Sequence, residues 1–154
     1  MAPISNQLFR RSLRRVRREL KTLGFGKKKV METKVSRTIV PSIKKQAYFT
    51  HDGEIFVPIF QSKRGVRDML RHEYGHALLY NYPRITASKG FSYFGHTTDP
   101  EDYVSGYAMK HPDEDFCETF MKYLKHGGVA RKHYSPRLMK KWHFIASLRD
   151  RRSS

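Results

Sequence analysis

Two histidines in the segment RDMLRHEYGHALLYNYP, residues 67–83, are four positions apart, and a glutamate directly follows the first. On an α-helix His72 and His76 lie on the same face, so both imidazoles can bind one metal ion. Glu73 then lies beside a water held by that ion and can take its proton as a general base. The alternative is that the two histidines are hydrogen-bonded residues of a core helix and bind no metal ion.

A catalytic zinc ion needs a third protein ligand and an open position, and the segment HPDEDFCETFMKYL contains candidates. Apolar residues cover one side of the helix that this segment predicts, with Glu114 and Glu118 at the border of that side. A carboxylate there is unfavourable unless it is paired or metal-bound. Glu114 is the predicted ligand and Glu118 the predicted acceptor for an imidazole N–H. Helix-dipole complementarity explains Asp113 and Asp115 instead, and Asp115 is expected to point towards water.

HEYGH followed by PDEDFCETF resembles the gluzincin branch of the zincin metallopeptidases. Within that branch the motifs more closely resemble those of the lethal-factor-like and putative zinc-binding peptidases, and the resemblance covers about residues 50–148. The resemblance implies one Zn²⁺ ion, a peptide or protein substrate, and an edge strand that holds the extended substrate above the active helix. It also implies a ligand set made of His72, His76 and Glu114.

The same resemblance assigns roles to the residues around the ligands. Glu73 is the implied general base, Glu118 supports a ligand from behind, and Tyr107, seven residues before Glu114, stabilises the oxyanion. Tyr103 is the alternative for the role of Tyr107. The family has a small residue at the position of Cys117, which is expected to pack as a small buried apolar side chain.

The elements that must position these residues follow from periodicity and turn signals. VSRTIV predicts a strand, and QAYFT-HDG-EIFVPIF predicts a hairpin with Asp52 and Gly53 in its turn. Pro58 lies inside the second hairpin strand, which is therefore expected at a sheet edge. A buried helix is predicted over 65–81, an irregular or partly helical segment over 84–111, and further helices from Pro112 and from Ser135.

Together these elements predict an α+β fold. The expected architecture is a compact zincin-like domain over residues 35–150, with a small mixed or antiparallel sheet, a buried HExxH helix and a C-terminal helical part. Residues 1–34 form a basic amphipathic extension, and 151–154 form a basic tail.

The extension holds much of the formal net charge of +17, because residues 5–29 contain ten lysines or arginines against one acid, Glu19. Its apolar residues form one helical stripe, made of Phe9, Leu13, Val16, Leu20 and Leu23. Three interpretations stay open: a helix docked on the domain, a helix that binds nucleic acid, an acidic partner or a membrane surface, and a cleaved mitochondrial presequence.

Cys117 is the single cysteine, which excludes an intrachain disulfide and a cysteine-rich zinc site. No run of apolar residues is long enough for a transmembrane segment and no secretory signal is visible, so an intracellular location is expected. The sequence thus predicts a zinc-dependent peptidase. The alternative is a catalytically silent basic module with the same fold that binds nucleic acid or an anionic surface.

Overall fold

The computed structural model describes residues 3–39, 47–59 and 65–150. Its helices are α1 (Asn6–Thr22), α2 (Lys28–Met31), α3 (Val66–Asn81), α4 (Arg84–Ala87), α5 (Pro112–Lys125) and α6 (Pro136–Ser147). The strands β1 (Val35–Thr38), β2 (Tyr48–Phe49) and β3 (Ile55–Pro58) form one sheet in the order β1-β3-β2. Helices with one small mixed sheet confirm the predicted α+β class. None of the helices in the described ranges has the length and apolar character of a membrane span.

The predicted hairpin is present between β2 and β3, which pair antiparallel. Thr50 donates its amide to the Glu54 carbonyl at 2.9 Å, and Gly53 donates to the Thr50 carbonyl at 3.0 Å. Gly53 has φ +85°, and a Cβ there would also lie 2.6 Å from the Tyr80 ring. Glycine is therefore required in this turn.

The expectation that the strand containing Pro58 lies at a sheet edge is wrong, because β3 is the central strand and pairs parallel with β1. The amides of Ile55 and Ile59 donate towards the β1 side at 2.9 Å. The nitrogen of Pro58 faces the opposite edge of β3, towards β2. In the described part of the chain β2 pairs only with Ile55 and Phe56, so no hydrogen bond from position 58 is needed there. Predicted strand residues 40, 46 and 60 lie outside the described residues.

The predicted central helix is confirmed as α3, of whose sixteen residues eleven are buried. It packs most closely on α5, which begins at Pro112 as predicted. At their crossing, a Cβ on Gly75 would lie 3.0 Å from both the Cα and the Sγ of Cys117. The absence of a side chain at Gly75 therefore lets the two helices approach closely, with Glu114 and Glu118 facing the histidines.

The segment 84–111 is partly helical, as predicted, and contains α4 and three short 3-10 helices. A second prediction for this region is wrong, because Asp115 does not point towards water but is fully buried. Its carboxylate pairs with Lys141 of α6 at 2.7 Å and accepts the Gly95 amide at 2.8 Å. Lys141 also donates to the Asp102 carbonyl at 2.6 Å.

The N-terminal helix α1 is docked on α3, in agreement with the first of the three interpretations. Its apolar stripe is buried, with Val16 and Leu20 at 0% exposure. The guanidinium of Arg71 on α3 donates to both carboxylate oxygens of Glu19 at 2.8 Å. Both α1 and α2 share the hydrophobic core with the rest of the chain, and the proposed boundary at residue 34 stays a prediction.

Candidate metal centre

His72 and His76 lie on the same face of α3, with ring centroids 5.1 Å apart, and face the start of α5. One carboxylate contacts both rings: Glu114 Oε2 is 3.1 Å from His72 Nε2, and Oε1 is 2.8 Å from His76 Nε2. Donor atoms of a tetrahedral zinc ion lie about 3.3 Å apart. The two N···O distances are within about 0.5 Å of that value, so Glu114 is a candidate to share one ion with the two histidines.

Glu118 contacts the other nitrogen of His72, with Oε2 2.6 Å from Nδ1. Its second oxygen accepts a hydrogen bond from the Ser105 hydroxyl at 2.9 Å, and that hydroxyl accepts the Ala108 amide at 3.2 Å. A carboxylate on Nδ1 fixes the orientation of a ring whose Nε2 binds a metal. The sequence had indicated Glu118 for this position but gave no signal for Ser105.

The centre is electrostatically arranged to hold a cation. Burial alone lowers the pKa of His72, but hydrogen bonds to Glu114 and Glu118 and the nearby charge of Glu73 outweigh burial and raise it to about 9. Burial raises the pKa of Glu114, and its hydrogen bonds to both histidines lower it well below the usual range. A proton on His72 or a bound metal ion can supply the positive charge that these carboxylates stabilise.

Glu73 and Tyr107 complete the surroundings of the histidines. Glu73 is 6% exposed, and its charge contributes to raising the pKa of His72 and of Tyr107. The Tyr107 ring lies 5.7 Å from that of His72. Burial, with the nearby Glu114 carboxylate, keeps the Tyr107 hydroxyl protonated by raising its pKa. Tyr103 instead donates its hydroxyl to the Thr97 carbonyl at 2.8 Å.

Cys117 is fully buried, as expected, but its sulfur lies close to the helix face that carries the two histidines. Donor atoms of His72, His76 and Cys117 all lie within 4.8 Å of one another. Burial and the surrounding carboxylates raise the pKa of this thiol. Glu114 and Cys117 are thus both candidates for a third donor, and their three-residue spacing on α5 is the signal for that shared face.

Strand β2, which is at the edge of the sheet formed by the described residues, lies next to this centre. Phe49 stacks on the His76 ring with centroids 6.1 Å apart and meets the ring of Tyr80 edge to face. An exposed strand edge can pair with an extended peptide. The structure brings Glu73, Tyr107 and Glu114 to the two histidines, whereas Tyr103, the alternative to Tyr107, is bonded elsewhere. No family model, curated protein or solved structure matches this chain.

Proposed function

We propose that the protein is a zinc-dependent peptidase in which His72, His76 and Glu114 hold the ion. The observation that carries the proposal is the Glu114 carboxylate, whose two oxygens lie 3.1 and 2.8 Å from the two Nε2 atoms. A third donor that converges on a histidine pair matches the ligand set of catalytic zinc sites, which leave one position open.

His72, His76 and Glu114 would hold the zinc ion, which would supply a Lewis acid able to lower the pKa of a bound water and to polarise a carbonyl group. Glu73 accepts the proton of the attacking water and then delivers it to the leaving amine. Tyr107 donates a hydrogen bond to the oxyanion that develops from the peptide carbonyl. Glu118, held by Ser105, keeps the His72 ring oriented, and the outer edge of β2 aligns the extended peptide.

The first experiment separates metal binding from catalysis. Purified wild-type protein is expected to contain about one zinc ion per chain and to cleave fluorescently labelled casein. Glu73→Gln keeps the hydrogen-bonding shape but removes the base, so it should keep zinc and lose cleavage. Elemental analysis and casein fluorescence measure the two properties. Cleavage that persists in Glu73→Gln would contradict the proposed mechanism.

The ligand set is tested with two substitutions in the first turn of α5. Glu114→Ala should lose zinc. Asp113→Ala is the control and should keep zinc, because no contact between Asp113 and either histidine is seen in the described residues. Cys117→Ala should also keep zinc, because Glu114 already fills the third position. Zinc loss in Cys117→Ala would instead favour a site in which the sulfur is a ligand. Four protein ligands leave no open position for catalysis.

The second candidate function, a basic module that binds nucleic acid, is favoured by the outer face of α1. Its cationic side chains are exposed and have no ion pair among the described residues, namely Arg10, Arg11, Arg14, Arg18 and Lys21. The only acid of α1, Glu19, is already paired with Arg71 and Arg15. Because the apolar face of α1 is buried in the core, it cannot insert into lipid, and phosphate backbones are the better partner.

Fluorescence anisotropy with a labelled DNA duplex tests this candidate. Substitution of Arg10, Arg14 and Arg18 by Gln should make the slope of log affinity against log salt concentration less negative by about 2.7. Each lost phosphate contact contributes about 0.9 to that slope. The control removes three exposed cations elsewhere, Arg84, Lys89 and Lys132, and should change the slope much less. Equal losses in both variants, or no binding at low salt, would exclude a site on α1.

A further inference from the structure

A cavity of about 370 Å³ opens beside the C-terminal end of α5, and none of the candidate metal ligands lines it. Lys122, His126, Arg131 and His133 surround it together with aromatic and apolar side chains. Lys122 follows Glu118 by one turn of α5, or about 6 Å along the axis. The cavity is therefore near the metal centre but separate from it.

The charge of this cavity is unbalanced. Glu101 is the one acid that lines it, and no ion pair in the described ranges involves Lys122, Arg131 or His133. Two permanent positive charges therefore face the cavity, and no carboxylate of a described residue lies within 4 Å of them. Unpaired cations that converge in a concave site attract anions and concentrate them locally.

His126 provides an independent observation. Its Nε2 atom is shielded from solvent and makes no hydrogen bond to any residue of the described ranges. Burial, and after it the charges of Arg131, Lys122 and Lys125, lower the pKa of this imidazole. A shielded ring nitrogen that lacks a partner is unfavourable. A small rotation of the ring towards the cavity that His126 lines would let the Nε2–H group donate to a ligand oxygen.

We propose that this cavity binds an oxyanion, a phosphate or carboxylate group carried on an aromatic or apolar body. Arg131 and Lys122 supply the charge, and Arg131 can bind two oxygens at once through its planar guanidinium. After a small rotation of its ring, His126 donates a directional hydrogen bond from Nε2. Tyr134 and Leu138, which also line the cavity, pack against the body of the ligand. This site extends the molecule beyond the proposed peptidase activity and does not depend on it.

Calorimetric titration of the full chain with phenyl phosphate and with benzoate at low salt tests the site and distinguishes the two oxyanions. Saturable binding of either ligand is expected. Arg131→Gln should weaken it about tenfold through loss of charge-assisted hydrogen bonds. Lys132→Gln, which removes an exposed neighbouring cation outside the cavity, should change it less than about twofold. Absence of binding, equal weakening in both variants, or full binding in Arg131→Gln would overturn the proposal.

A second measurement does not depend on comparing variants. In ¹⁵N-labelled wild-type protein the imidazole resonances of His126 should shift with ligand concentration, following the same binding curve as the calorimetry. The resonances of His51, an exposed histidine on the β2–β3 turn, should stay unchanged. Saturation without any change at His126 would place the ligand elsewhere and overturn the proposal.

Discussion

Two neighbouring carboxylates at the start of α5, Glu114 and Asp115, face different neighbours, α3 and α6, and obtain their positive partners in different ways. Asp115 is fully buried against Lys141, so its counter-ion belongs to the chain. Glu114 lies between two imidazoles, whose positive charge must come from a proton or a bound metal ion. One pair is therefore a fixed part of the core, whereas the other can exchange its cation with solution.

The largest expected effect comes from breaking the fixed pair. Lys141→Met leaves the Asp115 carboxylate buried without its cation, which should lower the free energy of unfolding by about 3–5 kcal/mol. Urea denaturation followed by circular dichroism measures the change. Lys140→Met, an exposed neighbour, is the matched control and should be nearly neutral. A loss below about 1 kcal/mol in Lys141→Met would mean that the pair is not an essential part of the core.

Removal of the exchangeable cation should have the next largest effect. At a zinc concentration 100 to 1,000 times the dissociation constant, a single site stabilises the folded state by about 2.7–4.1 kcal/mol. Chelation should remove this stabilisation from the wild type and have no effect on Glu114→Ala. Thermal unfolding with and without added zinc measures the difference. A chelator effect of equal size in Glu114→Ala would show that the metal binds elsewhere.

A smaller effect on zinc affinity is expected from Glu118 and Ser105, which support the ring of His72. Glu118→Gln weakens the hydrogen bond to His72 Nδ1 and should reduce zinc affinity by about 10- to 100-fold. Ser105→Ala removes only the support of Glu118 and should cost less. Competition with a fluorescent zinc chelator gives both constants. If Ser105→Ala had the larger effect, Glu118 would not be the residue that orients His72.

The smallest expected effect concerns the partly exposed carboxylate of Asp68 on α3, which pairs with Arg71 of the same helix and with Lys125 of α5. Burial raises the pKa of Asp68, but hydrogen bonds from Arg71 and Lys125 outweigh it and lower the pKa below 3.8. The carboxylate therefore contributes stability above pH 3.8, and this contribution is lost as the pH falls through the lower folded value. Asp68→Asn should lose less than about 1 kcal/mol at pH 7 and show a shallower loss of stability below pH 4. Parallel acid titrations of both proteins would reveal no difference in slope if the pair were unimportant.

Patterns within one element allowed good predictions. The four-residue spacings of His72 with His76 and of Glu114 with Glu118 predicted which side chains share a face, and the helices that carry them are present. Turn chemistry at Gly53 likewise predicted the hairpin. These signals are local, because helical periodicity and turn geometry depend on neighbouring residues.

Features that depend on distant partners could not be predicted in this way. Periodicity assigned Asp115 to the solvent side of α5, but Lys141 of α6 covers that side. Pro58 suggested that its strand lies at a sheet edge. Strand β3 is central, but the Pro58 nitrogen faces β2, which is too short to pair at that position in the described residues. The proximity of the Cys117 sulfur to the histidines depends on how closely two helices cross.

That crossing has a further consequence. Because Gly75 has only a hydrogen atom where α3 meets α5, a methyl group there would have to push the backbone of Cys117 outward from its 3.0 Å position. The same displacement would carry the Glu114 oxygens away from both imidazoles, one turn along α5. The packing of α3 on α5 and the proposed metal site thus depend on the same distance between the two helices, so a larger residue at position 75 would alter both.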